Sequence, residues 1–388
     1  MPPHLAGRQR ETSDFAEVLK QEVILDNVVL TGLRGVGKTV LLETFKPIAR
    51  EAGWLWAGAD LSESSSISEE MLGTRMLTDL AMVTASTGIE IDEINAPGLN
   101  AEVTHEQSRL NYDTLASLYN STPGLSSDKL KRVLEVVWGG LSRRGHHGLI
   151  IAYDEAQNLS DHAEKNQYPL SVLLDVFQSI QRKGIPIMLV LTGLPTLFPK
   201  LVDARTFAER MFRVLFLERL RDRESREAIL RPIDDEGCPV TFGDESVSRI
   251  VRLSGGYPYF IQFICREVFE AWIRQILEDR EPLSIPEDEI IRKLDSDFFV
   301  GRWSRATDRQ RDLLTVVAGL DSAGAEFSIQ EVVEASKGRS SKPFSSSHVN
   351  QMFTSLANRG LIYKNRHGKY SFAVPLMDQF IRRQIERN

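Results

Sequence analysis

The chain has 388 residues, of which 42% are hydrophobic and 26% charged, an ordinary composition for two or three globular domains with proper cores. Its two cysteines, Cys238 and Cys265, lie far apart with no His or Cys at ligand spacing, which excludes a disulfide framework or a zinc site and leaves two reduced core thiols. The net charge is −7, yet Ser304 to Asn388 carries 13 Lys and Arg against 8 Asp and Glu, a modest pointer to a polyanionic partner at that end. The start, Met1 to Arg8, shows no apolar leader, and the longest apolar run, Ile185 to Leu191, is far short of the roughly 20 residues a membrane span needs. A cytoplasmic protein is expected.

A helical pattern (Phe15, Val18, Leu19) precedes the apolar run Val28-Val29-Leu30, which leads directly into Thr31-Gly32-Leu33-Arg34-Gly35-Val36-Gly37-Lys38-Thr39-Val40. This satisfies G-x-x-x-x-G-K-[ST] between a strand and a helix, the context that makes it a phosphate-binding loop. Gly32, Gly35 and Gly37 let the backbone turn its N–H groups toward a phosphate, Lys38 reaches the β and γ oxygens of ATP, and the Thr39 hydroxyl ligates Mg²⁺. A helix to Glu51, interrupted at Pro47, and a strand from Trp54 to Ala59 complete a βαβ unit and predict a parallel sheet. From 61 to 127 the pattern weakens. A Ser-rich stretch, Ser62 to Ser68, precedes a helix Glu69 to Val83, and Pro97, Gly98, Pro123 and Gly124 suggest an insertion of loop and short helix.

Apolar residues from Leu130 to Leu141 at spacings of 3 and 4 form the next helix. Gly148 to Tyr153 is then almost continuously apolar and ends in Asp154 and Glu155, as a strand buried on both faces delivers acids to the carboxyl edge of a parallel sheet. Asp154 suits Mg²⁺ and Glu155 the attacking water. After a helix from Tyr168 to Lys183, a third buried strand ends at Thr192. Its hydroxyl either orients the water or merely opens the turn made by Gly193 and Pro195.

These motifs resemble the AAA+ superfamily, and more narrowly the branch that includes replication-initiator ATPases of the origin-recognition type and the signal-transducing STAND ATPases. The resemblance implies an α/β P-loop sheet with a helical lid, and conversion of ATP and water to ADP and phosphate, slowly. Domains are expected at 1–220 (core), 221–285 (lid) and 286–388 (linker helix and C-terminal domain). The resemblance also implies that the segment around Arg8 closes over the base, a surface ion pair being the equal alternative for Arg8, and that Thr192 acts as sensor 1. Arg210 is implied as an arginine finger serving a neighbouring subunit, with Arg213 as fallback and an ion pair with Glu209 or Glu218 as the plain alternative. Pro258 and Tyr259 stand where initiators carry a sensor 2 arginine; as in STAND-like proteins the proline is expected to pack on the base, with Tyr257 beside it in the nucleotide site, the plain alternative being a first helical residue behind a Gly-Gly turn. Glu155 and Thr192 suit water activation better than the transfer of a kinase.

Beyond a linker at Glu281 to Pro286 and a helix from Ile290 to Phe299, three helices (Arg309 to Leu320, Ile329 to Ser336, Ser347 to Asn358) and a hairpin from Leu361 to Val374 predict a winged helix-turn-helix. In one reading it binds double-stranded DNA. His348, Asn350, Gln351, Thr354 and Ser355 of the third helix then face the major groove, and Lys337, Arg339, Lys342, Lys364, Arg366 and Lys369 face phosphates. In the other, STAND-like reading it is an intramolecular latch or a protein-binding module. Assembly into a homo-oligomer with ATP, or with a partner protein, is expected in either case.

Overall fold

Five strands pair as one parallel sheet in a computed structural model describing residues 4–21, 23–24, 26–62, 68–88, 90–93, 106–235, 240–278, 284–339, 342–366 and 368–387. The predictions for 63–67, 94–105, Cys238, 281–283 and His367 lie outside those residues. Helix α1 (Gln9–Val18) leads to β1 (Asn27–Gly32), the loop, α2 (Lys38–Glu51) and β2 (Trp54–Asp60). Then follow α3 (Glu69–Thr87), the strand pair β3 (Glu90–Glu93) and β4 (Glu106–Arg109), α4 (Tyr112–Ser121) and α5 (Ser126–Ser142). Strand β5 (Gly148–Asp154), α6 (Pro169–Arg182), β6 (Ile187–Gly193), α7 (Leu197–Ala204), α8 (Ala208–Met211) and β7 (Phe212–Leu217) complete the core.

The strand order is β2-β5-β6-β1-β7. Every residue of β1, β5 and β6 is buried, as parallel strands covered on both faces require. Alternate residues supply the two faces: Val28, Leu30, Ile150 and Met188 pack with α1 and α2, while Val29, Ile151 and Leu189 pack beneath α3 to α6.

Two expectations are corrected here. Helix α2 runs unbroken through Pro47. Pro47 is on the solvent face, where the carbonyl deprived of its N–H partner is open to water. The segment 61–127 is not a mere loop insertion either. Leu72, Met76 and Leu80 of α3 and Leu115 of α4 are fully buried in the core under the sheet, and the weak amphipathic signal of α3 reflects burial on several sides.

The second half is helical: α9 (Asp222–Asp235), α10 (Asp244–Ser254) and α11 (Pro258–Leu277) form a lid, and α12 (Glu287–Leu294) continues through a π-helical turn, 295–300, into α13 (Gly301–Trp303). Then come α14 (Asp308–Ala318), β8 (Phe327–Ser328), α15 (Ile329–Arg339), α16 (Ser346–Asn358), β9 (Ile362–Arg366), β10 (Lys369–Phe372) and α17 (Met377–Arg387), with an antiparallel sheet in the order β8-β10-β9. One apolar core runs without interruption from Ile229 and Phe260 of the lid through Phe298 and Phe299 to Phe353 and Phe380.

Candidate nucleotide-binding site

The loop between β1 and α2 is shaped by its glycines. Gly35 and Gly37 have φ of +77° and +93°, values that L side chains rarely adopt, and a Cβ on Gly32 would stand 2.5 Å from the Leu217 carbonyl oxygen. Lys38 folds back over the loop, its Nζ donating to the carbonyls of Gly32 and Leu33 at 3.0 Å each. Burial pushes the Lys38 ammonium down to about 8, against the opposing charges of Glu155 and Asp154.

The sheet brings the second motif to the same edge. Asp154 is buried, and the Thr39 hydroxyl donates to its Oδ2 at 2.5 Å while the Glu155 backbone N–H donates to Oδ1 at 2.7 Å. The Thr192 hydroxyl donates to the same Oδ1, so both threonines converge on one carboxylate. The pairing explains this: Leu30 of β1 is in register with Thr192 of β6, and Leu191 with Tyr153 of β5. Glu155 is exposed in the left-handed region, φ +51°, and the Gln157 side-chain amide donates to its Oε2. The Gln157 oxygen in turn accepts from the Leu194 N–H at 3.1 Å. Gln157 was not foreseen, since its role depends on a contact with the turn after β6.

A largely apolar cavity of about 640 Å³ opens beside the loop, between Leu5 to Arg8, the start of α2 at Val36 and Val40, Ile229 and Pro232 of α9, and Pro258 and Ile261 of α11. Arg8 lines it, but its guanidinium, 6% exposed, is committed to the carbonyls of Val36 at 3.0 Å and Glu218 at 2.7 Å, fastening the loop to the end of β7. Burial lowers the Arg8 pKa. The thiol of Cys265 also faces this cavity, and burial pushes it up to about 12.

Tyr257 is a correction, for it is not on this cavity. It faces a second cavity of about 440 Å³ between Leu33, Phe216 and the C-terminal residues Tyr363 and Leu376. The left-handed Gly255-Gly256 turn leaves Tyr257 extended, so its side chain and that of Pro258 point to opposite sides. Arg210 is exposed on α8, before the start of β7. Because Phe212 pairs with Asn27 and Leu217 with Gly32, Arg210 lies at the opposite edge of the sheet from the loop, roughly 15 to 20 Å away along the strand. Arg213 forms an ion pair with Asp26 at 3.4 Å.

In the C-terminal region, His348, Asn350, Gln351 and Thr354 are exposed on α16, and Val349, Met352, Phe353 and Leu356 are buried. Ser355 accepts a hydrogen bond from Gln310 at 3.0 Å. Several cations expected to meet phosphates already have acidic partners: Arg366 with Glu326 at 2.8 Å, Lys369 with Glu331 at 3.1 Å and Lys337 with Glu334 at 2.7 Å. Lys364 is exposed with no acidic partner among the described residues.

A strand, a glycine loop and a helix with Lys38 at its start, beside a second parallel strand ending in a buried acid, define a P-loop nucleoside-triphosphatase fold. Residues 4–190 match the family described as AAA ATPase domain, so this part of the chain carries an AAA+ ATPase domain; residues 296–381 match a domain of unknown function (DUF8462). Among solved structures, the ORC2 protein of Aeropyrum pernix in its ADP form is similar, at 15% identity and a TM-score of 0.57, with 99% of this chain and 96% of that one covered. The same protein in ADPNP-ADP complexes gives 15% identity and a TM-score of 0.52, covering 100% and 96%. No protein of curated function matches the chain in sequence. Among the described residues, no helix is long and apolar enough to cross a membrane.

Proposed function

We propose that this chain binds ATP at the loop and hydrolyses it slowly, and that the bound nucleotide controls a DNA-associated regulatory or assembly role carried by its C-terminal domain. The observation that carries the ATPase reading is the convergence of Thr39 and Thr192 on the Asp154 carboxylate. These are hard oxygen donors of the kind Mg²⁺ takes, and Thr39 and Asp154 would hold it, where it would neutralise charge on the β and γ phosphates. Lys38 would exchange its two loop carbonyls for phosphate oxygens. The solvent-facing Glu155, oriented by Gln157, would accept the proton of the attacking water as its oxygen bonds to the γ-phosphorus and the bridging bond breaks toward ADP. Pro258 and the apolar walls of the 640 Å³ cavity suit the base, with Arg8 holding the loop against β7. The ADP form and ADPNP-ADP complexes of the Aeropyrum pernix protein lend support, since they concern the same fold.

Calorimetry on two variants tests the assignment. Lys38→Ala should abolish ATP binding, and Glu155→Gln should bind ATP and not turn it over; equal loss of binding in both would refute the roles.

For the DNA-associated role, the C-terminal helices and three-stranded sheet would serve as a winged helix, with α16 presenting Asn350, Gln351 and Thr354 to the major groove. The latch reading has its own support in Arg366, Lys369 and Lys337, whose charges are already paired with acids of the same region.

A further inference from the structure

The outer face of the loop is packed against the start of the C-terminal region. The Tyr259 N–H donates to the Gly35 carbonyl at 3.1 Å, and a Cβ on Gly35 would stand 2.9 Å from that of Tyr259. The Tyr259 ring lies 5.1 Å from the ring of Phe298, and the Arg302 guanidinium is centred 4.1 Å above the Phe298 ring. From the other side, Arg34 of the loop reaches to within 3.6 Å of where a Gly360 Cβ would be, next to Arg359, and Arg359 donates to the Arg305 carbonyl.

Four arginines therefore gather where the loop meets the C-terminal region. None of Arg34, Arg302, Arg305 and Arg359 has a carboxylate within ion-pair distance among the described residues, and Arg302 bonds only to the Phe298 carbonyl of its own helix. Elsewhere in this chain arginines are commonly paired, as with Arg205 and Asp175 or Arg383 and Asp295. The charge of Arg34 bears on both sides: it lowers Lys38, and, after burial, it is the leading influence lowering Arg302. A half-buried cation crowded by its own kind is relieved by an anion, and the loop is where the chain would hold one.

We propose that Arg302, with Arg34, forms a receptor within the same chain for the terminal phosphate of the bound nucleotide, so that the C-terminal region distinguishes triphosphate from diphosphate. The inference rests on the loop being the nucleotide site. It goes further in assigning the recognition of the third phosphate to a residue outside the ATPase core and its lid, where the initiator pattern would place a sensor arginine at the start of α11. Arg302 acts by contact with the phosphate, and its stem on Phe298 ties that contact to the linker.

The test is calorimetric titration of the full chain with Mg·ATP and Mg·ADP, using wild type, Arg302→Gln and Arg302→Lys. Arg302→Gln keeps enough of the stem to cover Phe298, and thermal denaturation checks that it folds. The expected result is a loss of ATP affinity of about tenfold or more with ADP affinity unchanged, and a smaller loss in Arg302→Lys, which keeps the charge and loses the fork. Combining Arg302→Gln with Arg34→Gln should cost ATP binding less than the sum of the two single losses. Equal losses for ATP and ADP would show a purely structural role and overturn the proposal. So would an unchanged ATP-to-ADP ratio accompanied by weaker binding of duplex DNA, which would give the cluster to a nucleic-acid phosphate. Wild type that binds neither nucleotide would sink the nucleotide reading itself, whereas wild type that binds both, with a ratio unmoved in Arg302→Gln, would sink this inference alone.

Discussion

Raising the pH from 7 to 9 should weaken ATP binding about tenfold, because Lys38 of the empty loop has an ammonium held down to about 8. Its partners there, the carbonyls of Gly32 and Leu33, are neutral and do not repay the full cost of burying the charge. Phosphate oxygens would, and a bound triphosphate should return the ammonium toward or above its usual value near 10.4. At pH 7 about 90% of the empty sites then carry the proton, and at pH 9 about 10%, while bound sites keep it; a tenfold ratio corresponds to about 1.4 kcal/mol. The complex binds more protons than the free chain across this window, so affinity must fall as pH rises. Folding of the empty chain has the opposite sign: between about 8 and 10.5 the unfolded state binds more protons at Lys38, so this residue's contribution to stability grows with pH. Calorimetry at pH 8.5 in buffers of different ionisation enthalpy should register uptake of about 0.8 proton per ATP. Lys38→Arg, whose charge does not titrate in this range, should bind with a flat pH profile. No proton uptake, with affinity constant from pH 7 to 9, would refute the argument.

Thr192→Val removes one of the three donors on the buried Asp154 carboxylate; a hydrogen bond to a charged group contributes about 1.5 to 3 kcal/mol, and the turnover rate should drop by at least tenfold while nucleotide binding without Mg²⁺ stays as in wild type. If Thr192 only shapes the turn, Thr192→Val will lower the melting temperature and leave turnover per folded molecule intact. Arg210→Ala mixed with Lys38→Ala should regain ATPase activity if Arg210 serves a neighbouring subunit, since trans arginines contribute roughly 10³ to 10⁵ in rate; no recovery, with only monomer in light scattering with ATP, excludes the trans role. Asn350→Glu with Gln351→Glu, both exposed on α16, should abolish a salt-sensitive mobility shift of duplex DNA by the full chain, and a wild-type chain that gives no such shift leaves the latch reading in place.

The sheet and its acidic edge are legible in the sequence because parallel strands covered on both faces leave continuous apolar runs, and the residues ending those runs, Asp154 and Thr192, must emerge at one edge. What escapes is decided by contacts between distant residues or by single turns. Gln157 looks like any polar residue after an acidic strand until the turn at Leu194 supplies the partner that fixes it. Tyr257 and Pro258 are neighbours in sequence, and only the two left-handed glycines before them show that they face different cavities. Arg8 is recognisable as a residue near the base, whereas its bonds to Val36 and Glu218 depend on the loop and β7 meeting. Strand β8, at two residues, is too short to leave a period, and α17 was not foreseen although Met377, Phe380 and Ile381 are buried.

The continuity of the second core constrains how any nucleotide signal travels. Phe260 of α11, Phe298 and Phe299 of the π-helical turn, and Phe380 of α17 pack ring against ring, edge-on, tilted or stacked, with centroids 4.9 to 6.0 Å apart. Arg383 and Arg387 of α17 both pair with Asp295, a carboxylate 2% exposed, and separating them would strand that charge in the core. The lid and the C-terminal domain therefore cannot move independently without exposing aromatic surface and unpairing Asp295. Because the Tyr259 N–H fastens the same helix to the loop at Gly35, a shift of the lid on nucleotide exchange must carry α16 and the β9-β10 hairpin with it as one body. The same packing makes a fragment starting at Ser304 unsuitable for judging DNA binding, since it would bare the faces that cover Phe298 and Phe299.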